Sequence, residues 1–136
     1  MRIMAVDYGD ARTGVAVSDP SATLVGEAWV VHNRIIDSVA QIIVDETLNR
    51  GVSAIVVGYP KNMDGTTGPR AEKSERLVEI LRSLCDVEVI LWDERMTTVS
   101  AGRVLTETGK FGKKRKKTID AVAASLILES YLGSIK

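Results

Sequence analysis

The sequence predicts an α/β fold with a mixed five-stranded sheet flanked by helices, and three observations support this prediction. Two short β-branched runs near the start of the chain are separated by a four-residue turn, which indicates an antiparallel hairpin. Two later apolar runs each follow a segment whose apolar residues recur at helical spacing. Strands that alternate with helices pair in parallel through right-handed crossovers. The sheet should therefore combine an antiparallel meander with two parallel strands.

The first three strands are expected to form the meander. Residues 3–8 and 13–18 are apolar and β-branched, and residues 9–12 between them have the composition of a tight turn. A third strand fits residues 23–31, in which Gly26 indicates a bend or a bulge.

Two helix-strand units should follow the meander. Residues 35–50 have apolar positions at helical spacing and Gly51 is a plausible stop, so a helix is predicted there. The continuous apolar run 53–58 is typical of a strand buried on both faces. A second helix is predicted over residues 69–84, and a second buried strand over residues 87–92.

The C-terminal part is predicted to hold two helices separated by a basic loop. A helix over about residues 98–108 would be capped by the threonines that precede it. Residues 110–117, KFGKKRKK, carry six cations in eight positions and are expected to form a mobile loop. Thr118 is a good N-cap for a last helix, whose first turn would contain Asp120 and whose stop would be Gly133.

Length and composition favour one ordinary soluble domain. With 136 residues and 45% hydrophobic content, the chain can bury one full core, so we expect residues 1–136 to form a single domain. Its 18 basic and 18 acidic residues balance, so any basic site must be local. No stretch approaches the roughly 18 apolar residues that span a bilayer, and no signal peptide is recognisable. We expect a cytoplasmic protein without a membrane partner.

The single cysteine and the single histidine exclude several kinds of chemistry. Cys85 has no partner for an internal disulfide, which suits a reducing compartment. His32 alone cannot form a paired-histidine acid-base site, and one histidine with one cysteine are too few for a zinc site of those ligands. Any catalysis must rest on carboxylates, hydroxyls or lysines.

Three carboxylates are candidates for that chemistry, although each has an ordinary explanation. Asp7 lies inside the first predicted strand, where a buried charge costs several kcal/mol unless it is paired or bound to metal, but it could also cap the following turn. Glu94 follows a predicted parallel strand, where ligands gather, or it forms an ion pair with Arg95. Asp120 could simply complement the dipole of the last helix.

Taken together, the three carboxylates predict a metal site if the fold brings them together. A cluster of oxygen ligands without nitrogen or sulfur suits Mg²⁺ or Mn²⁺. Two such ions about 4 Å apart can activate water and stabilise the leaving oxygen of a phosphodiester. The basic run near Asp120 would attract phosphate, unless it is only a solvated loop. The loop GYPKNMDGTTG lacks the glycine-lysine-serine or threonine ending of a P-loop, so its glycines are read as turn residues.

Four motifs in order make the whole chain resemble the YqgF/RuvX family, bacterial proteins with an RNase H-like fold related to Holliday junction resolvases. The motifs are Asp7-Tyr8-Gly9 with the run 12–19, Val57-Gly58-Tyr59-Pro60 with Asn62-Met63-Asp64-Gly65, Asp93-Glu94-Arg95 with Thr97-Thr98, and Ile119-Asp120-Ala121 with Ala123-Ala124. Two positions depart from the family pattern. Asp10-Ala11 stands where a more basic or small polar turn is expected, and Tyr59 replaces an aliphatic residue.

The resemblance implies a nuclease that matures the 5′ end of the 16S ribosomal RNA precursor, with Holliday junction resolution as the alternative. The family's acidic positions fall on Asp7, Glu94 and Asp120, which we expect to be catalytic and to bind Mg²⁺ or Mn²⁺, two ions bridged by Asp7. Nucleic-acid phosphates would be held by the cations near these positions. They are Arg12, Arg95, Lys110, Lys113, Lys114, Arg115, Lys116 and Lys117.

Other functions stay open at this stage. The chain could be a non-catalytic nucleic-acid-binding factor in ribosome assembly or transcription. A nucleotide-binding role is disfavoured, because actin-like ATPases use two such domains and this chain has room for one. Structured RNA is the favoured partner over a DNA junction, and the chain is expected to be a monomer or a homodimer.

Overall fold

The computed structural model describes residues 1–62, 64–97 and 115–135, with the backbone alone for residues 97 and 115–120. Its core is a mixed five-stranded sheet in the order β3-β2-β1-β4-β5, as predicted. The strands are β1 (Arg2–Asp7), β2 (Arg12–Ser18), β3 (Val25–His32), β4 (Val52–Tyr59) and β5 (Glu88–Asp93).

The pairing of β1 determines which strand ends lie together. β1 pairs with β2 antiparallel and with β4 in parallel, and β4 pairs with β5 in parallel. The carboxyl ends of β1, β4 and β5 therefore meet at one edge of the sheet, here called the carboxyl edge. Because β2 is antiparallel to both its neighbours, it begins at this edge and β3 ends there.

The predicted irregularity at Gly26 is confirmed. In the β2–β3 pair Val17 lies opposite Glu27, whereas Ser18 lies opposite Val25. One residue of β3, Gly26, is therefore extra, which is the definition of a bulge.

Helices cover both faces of the sheet. The helix α1 (Ile36–Arg50) and the helix α2 (Pro69–Leu84) pack on one face, and a last helix, α3 (Arg115–Ser134), packs on the other. A single 3₁₀ turn, Glu94–Thr97, follows β5. Each face has its own apolar cluster, because alternate residues of a strand point to opposite sides.

The division of side chains along β1 shows the two faces. Met4 and Val6 join the cluster under α1 and α2, whereas Ile3 and Ala5 join the cluster under α3. All four side chains are at most 1% exposed. By the same alternation Asp7, the next residue in the Ile3–Ala5 series, belongs to the α3 face.

Three details of the sequence prediction are corrected by the structure. The first strand ends at Asp7, so this residue closes the strand and does not lie inside it. The last helix begins at Arg115, so Thr118 is not its N-cap, and residues 115–117 are helical where a loop was expected. Lysine and arginine are good helix formers and nothing after Gly112 breaks the helix, so it extends back through them.

These corrections change the meaning of Asp120. As the sixth residue of α3 it lies beyond the first turn, where the helix dipole acts most strongly, so the dipole explains its presence less well. The predicted helix over 98–108 and residues 110–114 lie outside the described residues. Across the described ranges, no helix has the length and apolarity to cross a membrane.

We predict that Gly51→Ala lowers the free energy of unfolding by about 1 kcal/mol, because the left-handed backbone conformation is less favourable for alanine than for glycine. Gly51 ends α1 with φ 65° and ψ 42°, and its N–H donates to the Thr47 carbonyl. Urea denaturation measures the change.

The matched control is Gly133→Ala near the end of α3, where a Cβ has nothing within 4 Å and φ is not positive. This variant should be neutral or slightly stabilising, since alanine favours a helix over glycine. Equal losses in both variants would contradict the assignment of Gly51 to conformational strain.

Candidate active site at the carboxyl edge

Asp7 occupies the carboxyl end of the central strand of the sheet. It is half-buried, it ends β1, and the alternation of the strand directs it to the α3 face. This position resolves the difficulty of a charge within a buried strand, because the apolar residues end one position earlier, at Val6. The carboxylate thus combines a rigid backbone with access to the edge where ligands of α/β sheets bind.

Glu94 lies across β4 toward the same place. It is half-buried and begins the 3₁₀ turn after β5, two strands away from Asp7. Its side chain folds back over Gly58 of β4, because a Cβ built on Gly58 would lie 2.9 Å from Glu94 Oε1 and 3.2 Å from Glu94 Cγ. The Glu94 carboxylate therefore lies above the strand that adjoins β1.

The register of the sheet places Gly58 beside Asp7. Val6 of β1 pairs with Val57 of β4, and Asp7 and Gly58 are the next residues of the two parallel strands. The absence of a side chain at Gly58 leaves the space that Glu94 uses. The sheet thus brings two of the three predicted carboxylates to one region of the α3 face.

The third predicted carboxylate belongs to the helix that covers this region. Ile127 of α3 packs on Gly58, since a Cβ there would lie 2.6 Å from Ile127 Cδ1. Asp120 precedes Ala124 by one helical turn and Ile127 by about two, and both of those residues are buried against the sheet. Residue 120 therefore lies on the sheet-facing side of α3, and its side chain is outside the described part of the structure.

The described side chains contain no group of three or more histidine, cysteine, aspartate or glutamate residues close enough to hold a metal ion. Of the predicted set, only Asp7 and Glu94 have described side chains. Their oxygen ligands and the absence of nitrogen or sulfur from the predicted set suit a hard cation such as Mg²⁺ or Mn²⁺.

A hydrogen-bond chain holds the 3₁₀ turn that carries Glu94 against α3. Trp92 Nε1 donates to Ser130 Oγ at 3.1 Å, and Ser130 Oγ donates to the Met96 carbonyl at 3.1 Å. The Trp92 ring also meets Tyr131 edge to face, with centroids 5.3 Å apart. Glu94 is thereby held between two residues, Trp92 and Met96, that are both bonded to the same helix.

The sequence prediction misread Gly58 as a turn residue and did not include Ser130. A glycine inside an apolar strand often marks a close approach by another group, so Gly58 carried a usable signal. Ser130 carried none, because a serine on the face of a helix is usually solvated and its partners are distant in sequence.

Arg95, a predicted phosphate contact, is engaged with Asp93. Its Nη2 lies 2.7 Å from Asp93 Oδ2 and its Nε bonds both carboxylate oxygens at 3.0 and 3.1 Å. This fork lowers the pKa of Asp93 and raises the pKa of Arg95. Arg95 also approaches the loop between β4 and α2, since a Cβ on Gly65 would lie 3.9 Å from Arg95 Nη1.

The loop GYPKNMDGTTG closes on itself as turn chemistry predicts. The Gly65 N–H donates to the Asn62 carbonyl at 2.9 Å, and the Asp64 carboxylate accepts from the Thr66 N–H and hydroxyl at 2.9 and 2.6 Å. Gly65 has φ +88°, which favours glycine. The turn prediction is therefore supported for Gly65 and is wrong for Gly58, which lies within β4.

The remaining predicted phosphate contacts fall at both ends of the described chain. Arg12 begins β2 and is exposed at the carboxyl edge. Arg115, Lys116 and Lys117 form the first turn of α3, and their side chains are outside the described part of the structure. Lys110, Lys113 and Lys114 lie outside the described residues altogether.

The sheet order, the helices on both faces and the carboxylates at the carboxyl edge define an α/β protein of the RNase H-like class. The chain belongs to the RuvX family, whose sequence profile, described as Holliday junction resolvase, matches residues 1–134. It is 46% identical over 133 residues to a protein of Halothermothrix orenii named "Putative pre-16S rRNA nuclease", covering 98% of this chain and 95% of that protein.

Solved structures with the same fold are much more distant in sequence. The chain resembles Thermus thermophilus RuvC bound to a Holliday junction substrate, with a TM-score of 0.69, 12% identity and coverage of 99% of this chain and 95% of that one. It also resembles the fowlpox virus resolvase bound to Holliday junction DNA, with a TM-score of 0.66, 11% identity and 99% coverage of both chains. At such identities the likeness shows the fold alone.

We predict that Gly58→Ala lowers the free energy of unfolding by about 1–3 kcal/mol, because the new methyl group overlaps Ile127 Cδ1 and Glu94 Oε1. Ile127→Val removes the first of these atoms and alone should cost about 0.5–1.5 kcal/mol. The double variant should lose less free energy of unfolding than the two single variants lose together, and urea denaturation measures these losses. Strictly additive losses would mean that the two side chains do not compete for the space above Gly58.

Proposed function

We propose that this chain is a divalent-metal-dependent endonuclease that hydrolyses phosphodiester bonds of structured RNA and processes the 5′ end of the 16S ribosomal RNA precursor. One observation carries the proposal: the Glu94 carboxylate lies over Gly58, next to the strand end where Asp7 lies on the same face. Two carboxylates so placed repel each other unless cations neutralise them, and each is fixed to the sheet or to a turn bonded to α3.

Asp7, Glu94 and Asp120 would hold a pair of Mg²⁺ or Mn²⁺ ions, and the chemistry that such ions would supply is the activation of water and the stabilisation of the leaving 3′ oxygen. Asp7 fixes the centre of the site because it pairs with Gly14 of β2 and ends a strand whose preceding residues also pair with β4. Glu94 approaches the site from the turn after β5, through the space that the absent side chain of Gly58 leaves. Arg12 and the cations of residues 110–117 would hold phosphates that flank the cleaved bond.

Ribosomal RNA is the proposed substrate because of the Halothermothrix orenii relative, which is 46% identical over nearly the whole chain. That protein is named "Putative pre-16S rRNA nuclease". The family description and the resolvase structures support a second candidate, resolution of four-way DNA junctions. The two substrates share the phosphodiester chemistry and differ at the 2′-hydroxyl and in overall shape. A comparison of cleavage on structured RNA and on a DNA junction separates them.

We also propose a cellular location and an oligomeric state for the protein. A single domain acting on a ribosomal RNA precursor would work in the cytoplasm. A monomer suits the trimming of one RNA end, whereas a homodimer would suit a symmetric junction. Light scattering on the substrate-bound protein distinguishes the two.

We predict that Asp7→Asn reduces cleavage by about 100-fold or more, because the neutral amide no longer balances the charge of bound cations. The assay uses purified protein with structured RNA in Mg²⁺, in Mn²⁺ and in EDTA. The variant should fold as well as the wild type or better, since one member of a self-repelling cluster is removed.

The matched control is Asp86→Asn, an exposed carboxylate just before β5 at the opposite edge of the sheet. Its cleavage rate should equal that of the wild type. If Asp7→Asn cleaves as fast as this control, the metal-carboxylate mechanism is wrong. Binding that persists in EDTA, with no cleavage of RNA or DNA by the wild type, would support a non-catalytic binding factor instead.

We predict that replacing Lys110, Lys113 and Lys114 with glutamine reduces the slope of log K against log salt by about 2 to 3. Each phosphate contact releases counterions from the nucleic acid, so binding with fewer contacts releases fewer of them. Fluorescence anisotropy with labelled RNA over a range of KCl measures this slope. Arg2→Gln, at the amino end of β1, is the control and should leave it unchanged. An unchanged slope in the triple variant would remove this segment from the binding surface.

A further inference from the structure

A second group of cations lies at the carboxyl edge, around the turn between β1 and β2. Five exposed cationic side chains of the described residues surround the turn between β1 and β2, three of them on α2. They are Arg12, Arg34, Arg70, Lys73 and Arg76, and we call them the turn-side basic surface. It is separate in sequence from the cationic segment 110–117.

One part of this surface is an open cleft. Its volume is about 500 Å³ and its lining consists of Ala11, Arg12, His32, Asn33 and Arg34. Arg12 and His32 are register partners in the β2–β3 pair, and the Asn33 N–H donates to the Ala11 carbonyl at 3.1 Å. The cleft is therefore built on paired backbone at the ends of two strands, and its polar, cationic lining suits a phosphate group.

The other part of the surface is one side of α2, where three cations of the helix lie together. Arg70, Lys73 and Arg76 follow one another at intervals of three residues and so share a side of the helix. The acidic residue Glu75 accepts a hydrogen bond from the Tyr59 hydroxyl on the β4 side. The helix thus presents its cations, and not its carboxylates, to the turn between β1 and β2.

Asp10, at the tip of that turn, lies between the two parts. Its carboxylate accepts a hydrogen bond from Lys73 Nζ at 2.5 Å. This bond lowers the pKa of Asp10, and the nearby charges of Arg70 and Arg34 lower it further. The cations of α2 and of the cleft therefore face a common point, which Asp10 occupies with one negative charge.

We propose that the turn-side basic surface binds the phosphodiester backbone of the substrate beyond the cleavage site, and that Asp10 weakens this binding by occupying Lys73. This inference rests on the proposed nuclease function and names where a flanking segment of the strand lies. The surface and the carboxylates share the carboxyl edge, so one continuous strand reaches both. Contacts of this kind position a strand without reading its bases.

The salt bridge itself contributes little to folding, which leaves it available to exchange partners. Asp10 and Lys73 are 71% and 47% exposed, and surface pairs of this kind are weak. A phosphate that approaches Lys73 competes with Asp10 for the same ammonium group. Removing the Asp10 charge should therefore strengthen binding, whereas removing the cations should weaken it.

The test measures binding in EDTA, where cleavage does not interfere, with labelled single-stranded RNA over a range of KCl. Arg34→Gln/Arg70→Gln should reduce the slope of log K against log salt by about 1 to 2 and weaken binding several-fold at low salt. Asp10→Asn should tighten binding and increase the slope by up to about 0.7. Arg2→Gln, at the opposite edge, is the control and should match the wild type.

Opposite signs for the two variants are the expected result. If Arg34→Gln/Arg70→Gln matches Arg2→Gln while the wild type binds and cleaves RNA, the surface is not a contact and the nuclease proposal stands. If Asp10→Asn weakens binding, Asp10 supports the turn and does not compete with phosphate. If the wild type neither binds nor cleaves RNA or a DNA junction, both proposals fail.

Discussion

The contact on which the candidate site depends is the packing of Glu94 and Ile127 against the bare backbone of Gly58. Two elements that are distant in sequence, the turn after β5 and the helix α3, use the space that a side chain would otherwise fill. Without that space Glu94 would be held away from β4, and α3 would be lifted from the sheet. A single hydrogen atom as side chain therefore permits both the closure of the apolar core and the approach of a carboxylate to Asp7.

The sheet has different tasks on its two faces. The α3 face holds the carboxylates, one on the central strand and one on a turn bonded to Ser130. The opposite face packs α1 and α2 and presents cations at the same edge. The carboxylates and the cations of α2 thereby lie on opposite sides of the sheet, which gives a chain of zero net charge two regions of opposite charge.

Most of the fold could be predicted from the sequence because its signals are local. The period of apolar residues changes clearly between strands and helices, and Pro69 and Gly51 mark the first residue of α2 and the end of α1 as expected. The start of α3 could not be predicted in the same way. A run of cations is compatible with a solvated loop and with the first turns of a helix, and local sequence does not distinguish them.

The candidate site was predictable in its residues and not in its geometry. Glu94 follows a predicted apolar strand, so its place at a strand end could be inferred, whereas the sequence predicts Asp7 inside a strand that in fact ends there. That Glu94 turns back over β4 depends on the register between three strands and on the absence of a side chain at Gly58, and both are tertiary facts. The same holds for Asp10, whose importance comes from cations on α2 more than 60 residues away in sequence.

The kinds of contact available at the carboxyl edge limit how a substrate is chosen. The described side chains there include carboxylates, guanidinium groups, a lysine and an imidazole, which suit phosphates and cations. Phosphate contacts fix the position of a strand and carry no sequence information. The turn-side basic surface beside a rigid central strand would instead impose a path on the backbone. Under the proposed function, selection would then depend on shape, and a folded RNA end and a four-way junction are both defined by shape more than by base sequence.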